Sequence, residues 1–168
     1  MLTKAVLSFL LFGMVLDVTL ACNGYKVKVL KSENCIDDPV VAADPEFTLK
    51  LNKKCEFIPT GCVVNKAFKT AVAKYKVTKD GVVVKEGKGD VCSMAGQAPD
   101  NIKKYMEIFG APTSCPVEAG KVCGNDNKID ITPFKTLLSL ARGVISIHSD
   151  ITHDTGKSCI NVEIEVTK

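Results

Sequence analysis

The last stretch of the chain, SCINVEIEV at residues 158–166, alternates between apolar and polar side chains with a period of two. Successive side chains of a β-strand point to opposite faces of the sheet, so this pattern predicts a strand with one buried face and one wet face. The apolar set is Ile160, Val162, Ile164 and Val166. The polar set is Asn161, Glu163, Glu165 and Thr167. The apolar face of such a sheet needs a second layer to cover it.

The same alternation recurs upstream and predicts an all-β fold. It is clear in residues 47–51 and 71–77, and Asp80-Gly81 predicts a tight hairpin that returns residues 82–88 beside the second of these strands. Further strands are predicted at residues 25–30, 127–131 and 143–149. About seven short antiparallel strands in one domain favour an immunoglobulin-like β-sandwich, or such a sandwich opened into a β-cup.

One short helix is predicted in PDNIKKYMEIFG, at residues 99–110. Asp100 is expected to cap its first turn, and Gly110 is expected to end it. Ile102, Met106 and Phe109 share one face of this helix, so the helix is expected to pack against the strands as an insert.

The first 21 residues have the pattern of a secretory signal peptide. Lys4 supplies the positive start, residues 5–16 are apolar, and Thr19 and Ala21 fit the positions before a cleavage site. Cleavage after Ala21 leaves residues 22–168 as one domain. The expected location is therefore extracellular, with the lysosomal lumen as the alternative. Lipidation of Cys22 is the weaker alternative, because the lipobox leucine is absent and an odd number of cysteines, seven, would be left to pair.

The eight cysteines are expected to form four disulfides in an oxidising compartment. They stand at positions 22, 35, 55, 62, 92, 115, 123 and 159. No C-x-x-C occurs, so the sequence suggests neither a zinc ribbon nor a thioredoxin-type redox pair.

The charge pattern disfavours nucleic-acid binding. The formal net charge is +3, Arg142 is the sole arginine, and the chain has no tryptophan and three tyrosines. Nucleic-acid-binding surfaces usually combine a basic stripe with stacking aromatics.

Both histidines lie in HSDITHDTGKSC, at residues 148–159. Two histidines and two aspartates could hold zinc if they converged on one point, but Asp and Gly are also typical of a hairpin turn. The turn is the favoured interpretation, with the His148 ring facing solvent and His153 in the turn. The chain has no G-x-S-x-G motif and no cysteine expected to be free beside a histidine, so we expect neither an enzyme nor a bound metal or cofactor.

Several motifs resemble the ML-type lipid-recognition domains, the family that includes ganglioside activators. The main one is FGAPTSCPVEAGKVCGNDNKIDIT (residues 109–132), whose core is Cys115-Pro116 with Gly120, followed by Cys159 in the last strand. NCIDDP and DVCSM, with Cys35 and Cys92, occur upstream in the order of that family. The resemblance implies a Cys35–Cys159 and a Cys92–Cys115 disulfide.

The other four cysteines depart from the family pattern, and their pairing stays open. The interpretation adopted here joins Cys55 to Cys62 across a local turn, which leaves Cys22 with Cys123 by elimination.

The resemblance implies a secreted protein that binds or transfers lipid in an apolar cavity between two sheets. The expected cavity residues are Phe47, Leu49, Leu51, Ala73, Tyr75, Val77, Phe109, Phe134, Leu138, Ile145, Ile147, Ile160, Val162 and Ile164. The apolar connector at residues 133–141 is expected either to complete the core or to form a rim over the ligand. Lys74 and Lys76 either contact anionic membrane surfaces transiently or only solubilise the protein. The alternative function is a secreted interaction protein with a filled core, such as an inhibitor or a receptor co-ligand.

Overall fold

The computed structural model describes residues 21–124 and 127–168, and nearly all of the predicted signal peptide lies outside these ranges. The described residues form eleven strands: β1 (Lys26–Asn34), β2 (Val41–Ala43), β3 (Thr48–Leu51), β4 (Glu56–Thr60), β5 (Cys62–Asn65), β6 (Ala71–Lys79), β7 (Val82–Asp90), β8 (Gly120–Cys123), β9 (Ile129–Asp130), β10 (Gly143–His153) and β11 (Gly156–Thr167). Three α-helices are α1 (Val91–Gln97), α2 (Asp100–Ile108) and α3 (Leu137–Leu140). Short 3-10 turns occupy Ala21–Gly24 and Thr132–Phe134. The predicted all-β class is confirmed.

The largest sheet has five antiparallel strands in the order β1-β11-β10-β6-β7. The register of this sheet confirms the predicted alternation of apolar and polar side chains along β11. Ile164 lies between Val29 and Ile145 on the face that packs against the rest of the protein, whereas Glu163 lies opposite Lys31 and Ser146 on the outer face. The long strands are therefore apolar inside and polar outside.

The predicted hairpin between β6 and β7 is also confirmed. Asp80 and Gly81 both have positive φ, at 49° and 81°, as a two-residue turn of this kind requires. The Asp80 carboxylate accepts a hydrogen bond of 2.8 Å from the backbone N–H of Val144. This contact fastens the turn to the start of β10.

The second layer consists of two small antiparallel sheets, β2-β5-β8 and β3-β4-β9, together with the helices. Polar side chains on the inner face of the large sheet join it to β2. Asn34 exchanges hydrogen bonds of 2.8 and 3.0 Å with the backbone of Ala43, and Ser158 Oγ accepts one of 2.8 Å from the N–H of Val41. Hydrogen bonds thus close this edge of the sandwich.

The helices cover the inner face of β6 and β7 at the opposite edge. Helix α2 lies where the sequence predicted a helix, and Gly110 follows it with φ of 69°. The expected cap at Asp100 is wrong, because Pro99 holds the cap position and Asp100 is already in the first turn. Helix α1 was not predicted; the Asp90 carboxylate caps it by accepting from the Ser93 N–H at 2.8 Å.

Four disulfides link the described residues, and no described cysteine is free. The Cys35–Cys159 and Cys92–Cys115 pairs are confirmed.

The other two predicted pairs, Cys55–Cys62 and Cys22–Cys123, are wrong. Cys22 is bonded to Cys55, and Cys62 to Cys123, which lies directly opposite it in the β5–β8 register. The extended strand β4 separates Cys55 from Cys62. Seven residues at about 3.3 Å each span roughly 20 Å, far beyond the reach of a disulfide.

The buried apolar residues form two separate clusters at opposite ends of the large sheet. The first surrounds the end of β11, and its buried members are Cys22, Tyr25, Ile129, Ile131, Leu138 and Val166. The second lies near the β10–β11 hairpin, with Val40, Phe68 and Ala71 buried and Ile151 packed against them. The middle of the inner sheet face lies between these two clusters.

Candidate functional site

The middle of the inner sheet face carries apolar side chains that neither cluster incorporates. In the register, Ile147 lies between Val77 and Val162, and Tyr75 lies two residues along β6 from Val77. All four face inward, yet 36% of Ile147 is exposed and the other three are only partly buried. An inward apolar face that the second layer covers incompletely is the usual lining of a ligand site. We call this surface, with Ile160, the central face.

A pocket of about 360 Å³ adjoins the central face at Tyr75. It lies between the inner face of β6 and β7 and helices α1 and α2. Its lining is Ala73, Tyr75, Gly89, Val91, Met94, Ala95, Ala98, Ile102 and Met106. None of these described side chains is charged, and tyrosine is the sole one with an oxygen. We call this space the lateral pocket. Its volume lies at the small end of the range of about 300–1,000 Å³ that is typical of small-molecule sites.

The predicted cavity residues fall into three groups. Ala73 and Tyr75 line the lateral pocket. Inward positions of the sheet hold Val77, Ile145, Ile147, Ile160, Val162 and Ile164. The second layer and its connections hold Phe47, Leu49, Leu51, Phe109, Phe134 and Leu138.

Several members of the third group pack within the structure itself. Leu51, Phe109 and Leu138 belong to the first buried cluster, which Ile164 also contacts. The Phe47 ring centroid lies 6.4 Å from that of Phe109. These residues therefore stabilise one end of the protein.

Sequence reasoning missed the contribution of α1 to the lateral pocket. Met94 and Ala95 come from this unpredicted helix. Ile102 and Met106 were recognised as sharing a helical face, and that face does cover the pocket. The amphipathic pattern of α2 was thus the available signal.

The connector at residues 133–141 divides between core and surface. Leu138 is buried in the first cluster, whereas 54% of Leu137 and 71% of Leu140 are exposed. One turn of α3 therefore anchors the connector and presents two leucines to solvent.

His148 lies on the outer face, as predicted. Its Nδ1 is 2.6 Å from Asn161 Oδ1, and its Nε2 is 3.1 Å from Asp150 Oδ2. These two contacts, the Asn161 one first, raise the pKa of His148 above its ordinary value. The sulfurs of Cys35 and Cys159 lie nearby, but their disulfide removes both thiolates as metal ligands.

His153 is not a solvated turn residue, so that expectation is wrong. It is the last residue of β10, and only 7% of it is exposed. Its ring centroid lies 4.5 Å from that of Phe68, and its Nε2 is 2.9 Å from Ser158 Oγ. Its Nδ1 has no hydrogen-bond partner among the residues that the structure describes. Burial lowers the pKa of His153, while the charge of Asp154 opposes this shift.

The turn itself is formed by Asp154 and Thr155. The Asp154 carboxylate accepts hydrogen bonds of 2.9 and 3.1 Å from the backbone N–H groups of Lys69 and Thr70. These bonds lower the pKa of Asp154 and fasten the hairpin to the segment that leads into β6. The two histidines therefore lie on different faces of the sheet, His148 on the outer face and His153 on the inner face, and the hairpin does not bring them together at one point.

The outer face offers grooves of a different chemistry. One groove of about 590 Å³ is bordered by Lys74, Lys88, Lys157 and Asp150. Its charged rim suits water or polar molecules better than hydrocarbon. The lateral pocket and the central face together are therefore the candidate site for an apolar ligand. No helix in the described ranges is long and apolar enough to cross a membrane.

No family model matches the chain. A protein of Anopheles gambiae, the sporozoite-associated mosquito saliva protein 1, is 33% identical to it over 153 residues, which cover 88% of this chain and 84% of that protein. The chain belongs to the family of this mosquito saliva protein. Because the match covers most of both proteins, the members of this saliva-protein family are expected to share one fold.

Proposed function

We propose that the protein encloses an apolar ligand, such as a lipid, between its two layers, as the ML-type lipid-recognition domains do. The observation that carries this proposal is the split core. Two buried clusters hold the ends of the sandwich, while the apolar central face between them is only partly covered and shares Tyr75 with the lateral pocket. A protein without a ligand would gain stability by filling that space with side chains.

The ligand is held by hydrophobic burial alone. Transfer of hydrocarbon from water contributes about 0.8 kcal/mol per CH₂, so an acyl chain binds without any charged or covalent contact. The lining carries no nucleophile and no acid–base pair, and we therefore propose a carrier or presenting protein and no enzyme. The site needs no metal or cofactor for this role.

The proposed place of action is the extracellular fluid. The mosquito relative is named as a saliva protein. Four disulfides bridge the described part of the chain, as is usual for small secreted domains. The signal-peptide pattern at residues 1–21 agrees with both observations.

Native mass spectrometry of protein secreted into culture medium tests this function. We expect adducts with the masses of lipids, which disappear after organic extraction, and binding of the fluorescent probe N-phenylnaphthylamine by the extracted protein.

Two variants on neighbouring residues of β10 supply the control. Ile147→Asp places a carboxylate on the central face and is expected to weaken probe binding at least tenfold. Ser146→Asp places a carboxylate on the outer face and should leave probe binding unchanged. The proposal fails if the folded wild-type protein yields no lipid and binds no probe.

A second candidate function, a secreted interaction protein, is supported by the exposed edge strand β7. Val82, Val83 and Val84 lie there with 67%, 49% and 57% of their surface exposed. Such an edge can add a strand from a partner chain. A stoichiometric protein partner in a pull-down from extracellular fluid, lost in Val83→Lys, together with an empty ligand assay, would favour this function.

A further inference from the structure

The floor of the lateral pocket is formed by a strand that lacks side chains where it faces the ligand space. Gly87 and Gly89 occupy two inward positions of β7, directly opposite Tyr75 and Ala73, while Lys85 lies opposite Val77 further along the strand. Glycine inside a strand costs roughly 0.5–1 kcal/mol relative to alanine. Neither glycine has a positive φ, so the backbone conformation does not require glycine at these positions.

The absent side chains instead leave space beside the strand, and the ends of two neighbouring side chains fill it. A β-carbon on Gly89 would lie 2.7 Å from the Sδ of Met94, and one on Gly87 would lie 2.9 Å from the Tyr75 hydroxyl oxygen. The ends of both side chains therefore lie close to the bare backbone of the strand. A methyl group on Gly89 would displace the Met94 sulfur, and Met94 is a wall of the pocket, so the substitution changes the shape of the pocket.

Met94 is suited to act as the movable wall of this pocket. It lies on α1, 60% of it is exposed, and its unbranched thioether chain adapts to irregular shapes. Met106 lines the same pocket from α2. The oxygen of Tyr75 lies over Gly87, so the part of Tyr75 that faces the pocket is its ring. The pocket thus presents carbon and sulfur to its occupant.

We infer that the lateral pocket takes only the hydrocarbon portion of an amphiphile, that the polar head stays outside it, and that Gly89 and Met94 set the length of chain accepted. This inference rests on the proposed function and adds the location, the class of group bound and the residues that determine specificity. Each methylene that enters the pocket raises affinity about fourfold, which is about 0.8 kcal/mol, until the pocket is full.

Displacement of N-phenylnaphthylamine by n-alcohols of increasing chain length tests the inference in wild type, Gly89→Ala and Gly96→Ala. Gly96→Ala is the matched control, because a β-carbon at this position of α1 meets no atom within 4 Å. Gly89→Ala should fold, since the flexible end of Met94 is what has to move. Thermal melts of each variant verify this.

In wild type, affinity should rise about fourfold per methylene and then level off. In Gly89→Ala, the longest alcohols should bind about 4- to 16-fold more weakly, the loss of one or two methylenes, while short alcohols are unaffected. Gly96→Ala should match wild type. The double variant Gly89→Ala/Met94→Ala, which removes the displaced side chain, should again bind the long alcohols.

Two results would overturn the inference in distinguishable ways. If wild type binds the alcohols but Gly89→Ala binds every length equally well, the hydrocarbon lies elsewhere and the proposed function stands. If wild type binds no alcohol and no probe, the inference and the proposed function fail together.

Discussion

Replacement of Ser158 by alanine should destabilise the protein strongly, although it removes a single oxygen. Ser158 is 2% exposed. Its Oγ accepts from the Val41 N–H at 2.8 Å and contacts His153 Nε2 at 2.9 Å, so it joins the large sheet to β2. The substitution leaves a backbone donor and an imidazole nitrogen without their partner. At about 1–3 kcal/mol for each of these two unsatisfied buried groups, the expected loss is about 2–6 kcal/mol.

Urea denaturation of the disulfide-bonded protein measures this loss as a lower midpoint at an unchanged m-value. The same change should lower Tm by roughly 4–24 °C for a domain of this size. The control is Ser146→Ala on the outer face, where Oγ lies 3.5 Å from Glu163 Oε2 and little is lost. A free energy of unfolding for Ser158→Ala within about 0.5 kcal/mol of wild type would refute the view that this hydroxyl joins the two layers.

Three further predictions concern the two histidines and Gly143. In an NMR pH titration, the His148 ring should titrate above about 6.5 and the His153 ring below it. Burial depresses the pKa of His153 in the folded protein, so its contribution to stability is complete above pH 6.5. That contribution is lost as the pH falls below 6.5, at up to about 1.4 kcal/mol per pH unit. A free energy of unfolding that does not change with pH in that range, or that changes identically in His153→Gln, would contradict this. Gly143→Ala should cost about 1–3 kcal/mol in a thermal melt, since Gly143 has φ of 111° and an added β-carbon would collide with the Asp80 carboxylate; an unchanged melt would contradict this.

Local pattern was enough to predict the long strands and one helix. The alternation in β11 and the Asp80-Gly81 turn each depend on neighbouring residues, and both are confirmed. His153 could have been placed correctly as well. The alternation of Ile145 and Ile147 places His153 on the inward face if it continues for six more residues. The predicted strand ends at residue 149, which is too early.

The layer arrangement and two disulfides could not be predicted in this way, because they depend on contacts far apart in the chain. Cys62 meets Cys123 only through the pairing of β5 with β8, two short strands without a clear alternation. Helix α1 has seven residues, too few for an amphipathic pattern, so Met94 and its side of the lateral pocket were missed.

The most direct test of the account is methyl NMR of the folded protein titrated with a long-chain alcohol. The account predicts chemical-shift changes and intermolecular contacts at the methyl groups of Ala95, Met106 and Ile147, which line the lateral pocket and the central face. Saturable shifts confined to outer-face residues, or no shift at all, would contradict the claim that this sandwich holds hydrocarbon between its layers.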